Sequence, residues 1–178
     1  MNASEPAARV DAGKPNAARI YDYLLGGKDS READRDAAEM LLELVPDASV
    51  ACYDNRQFLG RAVRHLVGSA CPPVRQIVDI GSGLPTLGQV HSVAHLVARD
   101  TRVVYVDYGP EVLEESRRLL AGEPAVGAIC RDLRRPGEIL NDPQLLSLID
   151  FTQPVALLLV AFCISSRRPS ARTRSWTR

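Results

Sequence analysis

The sequence predicts an α/β protein with a parallel sheet of about four strands and a helical cap at its N-terminus. After residue 73, short apolar runs alternate with segments of helical periodicity, whereas before residue 70 only helical periodicity occurs. The run from Val155 to Phe162 is apolar throughout, as is typical of a strand buried on both faces of a parallel sheet. The 178 residues are enough for one domain with a substantial core.

Composition and charge fit an ordinary globular protein, but the charges are unevenly placed. The chain is 46% hydrophobic and 25% charged, with a formal net charge of zero. All 22 acidic residues lie at or before Asp150, and 17 of the 22 basic residues precede residue 163, so this body carries −5 and the last sixteen residues +5. An acidic body argues against a nucleic-acid partner.

Cysteine spacing and apolar run length predict a cytoplasmic protein without a membrane segment. The four cysteines are far apart and form no metal-binding pair, which favours reduced thiols. The first residues are polar, unlike a secretory leader, and the longest apolar run, Val155–Ile164, is much shorter than the ~20 residues that cross a bilayer. His91 and His95 share one helical face, but no third ligand is near, so a packed or solvated face is expected and no metal.

Residues 1–14 are predicted to be a mobile leader, and residues 15–70 a helical cap or lid. Asp29 and Glu32 have the spacing of a capping box at the start of the second cap helix. The three predicted helices run from Pro15 to Gly26, from Asp29 to Val45, and from Asp54 to Val67. The side chains expected to face inward are Ile20, Tyr23, Leu24, Ala33, Ala37, Met40, Leu41, Leu44, Phe58, Leu59, Ala62, Val63 and Leu66.

Residues 71–162 are predicted to form the sheet and its helices. The predicted strands are Val74–Ile80, Arg102–Asp107, Ala125–Cys130 and Val155–Phe162. A first helix is predicted to follow the glycine-rich turn and to end near Arg99, with Val90, Val93, Ala94 and Val97 facing inward. Two further helices are predicted at Pro110–Leu120 and Pro143–Ile149. Residues 163–178 show neither strand alternation nor an apolar helical stripe, so a disordered basic tail is expected there.

The turn after the first predicted strand is the most informative segment. Its sequence, Asp79 to Gly83, places two glycines where the backbone of an open α/β fold approaches a ligand. A dinucleotide fingerprint would need a third glycine at Thr86. The Asp-x-Gly-x-Gly pattern instead resembles the first motif of class I S-adenosylmethionine-dependent methyltransferases. Close packing of a helix on the sheet is the alternative explanation of such a turn.

Two further acids follow the next strands. Asp107 closes the second strand and offers two acceptor oxygens for the ribose hydroxyls. Asp132 and Leu133 follow the third strand, where enzymes of that class place an acid near the adenine amino group. An acidic pocket also suits a sulfonium cation.

Longer segments resemble one actinobacterial family of S-adenosylmethionine-dependent methyltransferases with a Rossmann-like fold, long catalogued as a domain of unknown function. The segments are PNAARIYDYLLGGKD, DNRQFLGRAVRHL, VDIGSGLPTLGQVHSVA, VVYVDYGPEVL, RDLRRPGEIL and IDFTQPVALLLVA. Tyr108 and Gly109 depart from the polar pair usual after the second strand. The resemblance implies the following S-adenosylmethionine-binding residues: Asp79, Gly81, Ser82, Gly83, Asp107, Tyr108, Asp132, Leu133 and, in a lid, Gly27.

The resemblance implies a methyltransferase with an unidentified small-molecule acceptor, and the sequence identifies no catalytic base. A non-catalytic nucleoside-binding or interaction protein on the same half-fold is the alternative, and an NAD oxidoreductase is a third. The sheet of such enzymes has more than four strands, and the fourth lies beside the first. Val155–Phe162 would then be an exposed edge, which predicts self-association.

The basic tail raises a genetic hypothesis. In the family, the fourth strand continues as Leu-His-Phe, followed by a proline. One permitted back-translation of Phe162–Arg167, read from its third base, encodes Leu-His-Phe-Val-Pro. We therefore expect a shift of reading frame near Ala161, a tail translated out of frame, and weak or absent methyl transfer by a truncated product.

Overall fold

A four-stranded parallel sheet forms the centre of the fold, which confirms the α/β class. The computed structural model describes residues 13–84 and 89–160. The strands are β1 (Gln76–Ile80), β2 (Arg102–Asp107), β3 (Val126–Cys130) and β4 (Ala156–Leu158). Their order across the sheet is β3-β2-β1-β4, and all three pairings are parallel. The predicted position of the fourth strand beside the first is therefore confirmed.

Seven helices are present in the described part of the chain. They are α1 (Ala17–Leu24), α2 (Glu32–Leu44), α3 (Ala48–Gly68), α4 (Val90–His95), α5 (Pro110–Leu119), α6 (Pro136–Leu140) and α7 (Pro143–Leu148). None of those helices is long and apolar enough to cross a membrane. The sequence did not predict α6, because its single turn is too short to show a period. Helix α3 begins six residues before the predicted Asp54, because Ala48 and Cys52 in its first turns are buried against α1.

Both faces of the sheet are covered, which explains the continuous apolar runs of its strands. One face packs Ile77 and Val103 against α3 and α4. The other packs Val78 and Val104 against α6 and α7. Alternate residues of each strand point to opposite faces, so a strand covered on both sides needs apolar side chains throughout.

Helix α2 buries a different face from the predicted one. Met40 and Leu44 were expected to face inward but are 65% and 81% exposed. The buried face instead carries Asp34 and Ala38. It lies about 100° around the helix from the predicted apolar stripe. The prediction was wrong for Met40 and Leu44 because it assigned every charged residue to solvent, whereas Asp34 is buried with an arginine partner. Leu41, also predicted to face inward, does pack against the core of the cap.

Two other inward predictions and one cap are also corrected. Phe58 and Val97 are 54% and 44% exposed, since the buried stripe of α3 follows Leu59 and Val63 and α4 ends at His95. The N-cap of α2 is Arg31, not Asp29, and its backbone N–H donates to the Asp34 carboxylate at 2.9 Å.

A buried ion-pair network joins the cap helices to the sheet half. Arg19 of α1 donates to Asp34 of α2 and to Glu111 of α5. The Asp34 carboxylate also accepts the backbone N–H of Asn16 at 2.8 Å. Through these contacts the cap lies across the carboxyl ends of the strands. Three predicted features lie wholly or partly outside the described residues. They are the leader up to residue 12, the basic tail, and the end of the fourth strand at Ala161 and Phe162.

Candidate cofactor-binding site

A cavity of about 420 Å³ lies between the cap and the carboxyl ends of β1 and β2. Small-molecule sites commonly have volumes of about 300–1,000 Å³. Six of the nine residues predicted to bind the cofactor line this cavity: Asp79, Gly81, Ser82, Gly83, Asp107 and Tyr108. The cavity thus lies where open α/β folds bind ligands, beyond the carboxyl edge of the sheet.

The turn after β1 adopts a backbone that requires its two glycines. Gly81 and Gly83 have φ angles of +74° and +64°, a region that residues with a Cβ rarely occupy. The Gly81 N–H donates to the Val106 carbonyl at 2.8 Å, which ties the turn to β2. The Gly83 N–H donates to the Asp107 carboxylate at 3.0 Å. Within the described residues, a Cβ added to Gly83 would contact only the Ala18 side chain of the cap, at 3.7 Å, so the turn presents bare backbone to the cavity.

Asp107 links this turn to the one that follows β2. Its Oδ2 accepts the Gly83 N–H, and its Oδ1 accepts the Gly109 N–H at 2.9 Å. A carboxylate has about four lone-pair sites, so Asp107 retains capacity to accept a hydrogen bond from a ligand. Burial raises the pKa of Asp107, and backbone hydrogen bonds from Gly109, Gly83 and Tyr108 oppose that shift.

Asp79, the second-last residue of β1, is buried, with 6% exposure. Burial raises its pKa to about 7; the Arg56 guanidinium opposes this shift, and the Asp107 charge adds to it. A positive group bound in the cavity would favour the ionised form of both acids.

The other three predicted residues do not line the cavity. Asp132 follows β3 at the same edge of the sheet, but its carboxylate is paired with the Arg134 guanidinium. Leu133 packs against the core beneath the sheet. Gly27 has a packing role, because a Cβ there would lie 2.1 Å from Oδ1 of Asp22. Cofactor contacts of these three residues stay predictions.

The cap contributes lining residues that the sequence analysis did not assign. Tyr21 and Asp22 come from α1, and Cys52, Asn55 and Arg56 from α3. The Tyr21 hydroxyl donates to the Cys52 carbonyl at 3.1 Å and accepts from the Asn55 amide at 3.0 Å. The Arg56 guanidinium lies over the Tyr21 ring, 5.4 Å from its centre. The only sequence signal for Asn55 and Arg56 was their place in a segment of the family resemblance.

The two histidines of α4 have packing partners. His91 Nδ1 is 2.8 Å from the Tyr105 hydroxyl, and His95 Nε2 is 2.8 Å from the Thr101 carbonyl. Burial lowers the pKa of His91, and the neighbouring His95 adds to that shift. Between residues 13 and 160, apart from 85–88, no group of three or more His, Cys, Asp or Glu side chains could hold a metal ion.

A comparison of the sequence with family models finds one match. The model described as S-adenosyl methyltransferase matches residues 3–168. The chain belongs to the S-adenosyl methyltransferase family. A search of curated proteins finds no match.

Two solved structures of this type share the fold. One is a "putative methyltransferase" from Thermobifida fusca YX, 45% identical over 87% of this chain, with a TM-score of 0.81. The other is a DUF574 family protein from Streptomyces avermitilis MA-4680, 42% identical over 84% of this chain, with a TM-score of 0.79. This chain spans 57% of the length of each.

The residues around the cavity fit the cofactor that the family's description implies. The glycine turn leaves room for close backbone approach, and the Asp107 carboxylate lines the cavity beside it. Three acids, Asp22, Asp79 and Asp107, line the wall, which suits a cationic ligand. No phosphate is present in S-adenosylmethionine, so the wall does not need the anion-binding helix end of a dinucleotide site.

Proposed function

We propose that the chain binds S-adenosylmethionine in the cavity between cap and sheet, and that the site serves methyl transfer to a small-molecule acceptor. The observation that carries the proposal is the Asp107 carboxylate, which lines the cavity and is held by backbone N–H groups of the turns after β1 and β2, beside a bare glycine turn. In this arrangement Asp107 accepts hydrogen bonds from the ribose hydroxyls. The methionine end of the cofactor is surrounded by Asp79, Gly81, Ser82 and Gly83. We assign the adenosine end to Tyr108, Asp132 and Leu133. We assign Gly27 to a loop of the cap that covers the bound cofactor.

The chain's own contribution to the reaction is binding, orientation and exclusion of water. Bound S-adenosylmethionine supplies an electrophilic methyl group on a sulfonium. The acids that line the cavity favour that positive charge, because they lie in a partly desolvated wall. Holding donor and acceptor in line accounts for most of the rate gain that such a site can supply. No general base is assigned.

Replacing Asp107 tests the ribose contact. Asp107→Ala removes two hydrogen bonds to a charged acceptor, so we expect S-adenosylhomocysteine to bind about 10- to 1,000-fold more weakly in calorimetry. Asp36→Ala, which removes an exposed carboxylate on α2, is the matched control and should leave the affinity unchanged. Equal affinity for parent and Asp107→Ala would refute the assignment.

Ligand choice separates the competing functions. S-adenosylmethionine should raise the melting temperature of the chain and NAD should not, because only a bound ligand stabilises the folded state. Stabilisation by NAD alone would favour an oxidoreductase. Binding of S-adenosylmethionine with no methyl transfer to any of a broad acceptor panel would favour the alternative, a non-catalytic nucleoside-binding protein.

A further inference from the structure

Two buried polar atoms of opposite charge lack partners in the cavity wall. In the described part of the chain, three buried side-chain atoms have no hydrogen-bond partner: Asp22 Oδ1, Arg56 Nε and Thr101 Oγ1. Asp22 and Arg56 both line the cavity, whereas Thr101 does not. An unpaired buried donor or acceptor destabilises the folded state, and more so when it is charged. A ligand that pairs both atoms would remove this cost.

Arg56 is held beside the glycine turn rather than at the far end of the cavity. Its guanidinium lies over the Tyr21 ring, and Tyr21 is fixed by Cys52 and Asn55. Arg56 also borders a smaller recess together with Asp79, Ser82 and Gly83. Asp107 does not border that recess. Arg56 therefore faces the methionine end of the proposed cofactor site and not the ribose end.

Among residues 13–84 and 89–160, Arg56 has no carboxylate within 4.0 Å, although its charge acts on both Asp22 and Asp79. The nearby Asp22 is 1% exposed, and its Oδ2 accepts the Asp29 N–H at 3.1 Å while Oδ1 has no donor. Gly27 gives this carboxylate its space, since any Cβ there would overlap Oδ1. The wall thus presents an open cation and an open carboxylate oxygen on adjoining cap helices.

We infer that Arg56 binds the α-carboxylate and Asp22 the α-ammonium group of the amino-acid end of S-adenosylmethionine. This rests on the proposed function and deepens it. The amino-acid end is the part of that molecule with both charges close together, whereas adenosine is neutral. A guanidinium matches a carboxylate better than an ammonium does, because it can donate two parallel hydrogen bonds.

The test measures S-adenosylhomocysteine against 5′-methylthioadenosine, which lacks the whole amino-acid end. In calorimetry on the 178-residue chain, Arg56→Met should weaken S-adenosylhomocysteine about 10- to 100-fold, as expected for a charged hydrogen bond, and leave 5′-methylthioadenosine unchanged. Arg61→Met, which changes an exposed arginine on the same helix, is the control and should alter neither affinity. Equal weakening of both ligands by Arg56→Met would overturn the inference, because it would indicate a structural role.

Decarboxylated S-adenosylhomocysteine separates the two contacts. It retains the amine but not the carboxylate, so its affinity should be insensitive to Arg56→Met and reduced about 5- to 100-fold by Asp22→Asn. The opposite pattern would overturn the assignment of the two residues. If the parent chain binds neither S-adenosylhomocysteine nor 5′-methylthioadenosine, the proposed function fails. If the parent binds both and the variants do not discriminate between them, only this inference fails.

Discussion

Burial of two carboxylates at the ends of neighbouring strands dominates the electrostatics of the site. Asp79 and Asp107 both have raised pKa values, chiefly because burial penalises their charged forms. Asp107 is compensated by two backbone N–H groups, whereas the main opposing influence on Asp79 is the charge of Arg56. Asp79 is therefore the acid whose charge state depends on pH near neutrality and on what the cavity holds.

Asp79→Asn should stabilise the chain at pH 8. The pKa of Asp79 is raised from 3.8 to about 7. Between these two pH values the folded state retains a proton that the unfolded state has released, and at pH 8 the folded state holds a buried negative charge. Its contribution to stability is fully present below pH 3.8 and is lost as the pH rises through about 7. Asparagine cannot ionise, so the substitution removes the buried charge and should raise the free energy of unfolding at pH 8 by about 2–4 kcal/mol. Urea unfolding at pH 6 and pH 8 measures it.

The same substitution should change the pH dependence of cofactor affinity. Between pH 6 and pH 8 the parent should bind cationic S-adenosylmethionine more tightly as Asp79 ionises, and the variant should lose that increase. Asp36→Asn serves as the exposed control. A parent and an Asp79→Asn variant with parallel stability and affinity profiles across this range would contradict the assigned pKa.

Helix α2 shows how one ion-pair network places an element. Its buried face includes Asp34, which is fully enclosed and accepts hydrogen bonds from Arg19, Asn16 and Arg31. Burial opposes the ionisation of Asp34, but these hydrogen bonds outweigh it and lower the pKa. The stability that this carboxylate provides is therefore present above its unfolded pKa of 3.8 and lost as the pH falls through the lower folded value.

Asp34→Asn should destabilise the cap strongly. Removing one partner leaves Arg19 buried with only Glu111 to balance it, and breaking a buried pair typically costs about 3–5 kcal/mol. Glu115→Gln, which breaks an exposed pair with Arg118 on α5, is the matched control and should cost far less, because an exposed ion pair adds little stability. Thermal and urea unfolding at pH 7 compare the two; equal costs would show that the Asp34 network does not anchor α2.

At the scale of the whole molecule, β4 is an edge of the described sheet. It pairs with β1 on one side and has no strand partner on the other within residues 13–84 and 89–160. Leu157 and Leu159 are 58% and 49% exposed beside this edge. An apolar edge strand with free backbone groups favours pairing with a second chain.

We expect the 178-residue chain to self-associate through β4 and to be poorly soluble or marginally folded. The double variant Leu157→Lys/Leu159→Lys should lower the associated fraction, because charges on an edge strand disfavour pairing. Leu96→Lys changes an exposed leucine after α4 and should have no such effect. Sedimentation at several concentrations measures the association. A monodisperse parent monomer with a sharp, cooperative melt would contradict the expectation.

The sequence by itself determined the sheet and the turn. The position of β4 beside β1 came from the family resemblance, not from the strand patterns. The predicted bounds of β2 agree with the structure, because apolar runs between turn residues report burial on both faces directly. The Asp-x-Gly-x-Gly segment was recognisable because a positive φ restricts the residue type at Gly81 and Gly83. These properties depend on residues close together in the chain.

Only the tertiary structure decided which charged residues lie inside. Arg19 pairs with Glu111, 92 residues away in sequence, and also with Asp34, and the pairing with Asp34 turns a polar face of α2 inward. Arg56 and Asp22 reach one cavity from different helices, and neither has a periodic signal that distinguishes it from a solvent-exposed charge. Hydrophobic periodicity reports transfer from water, whereas a buried charge is stabilised by a partner whose position the local sequence does not encode.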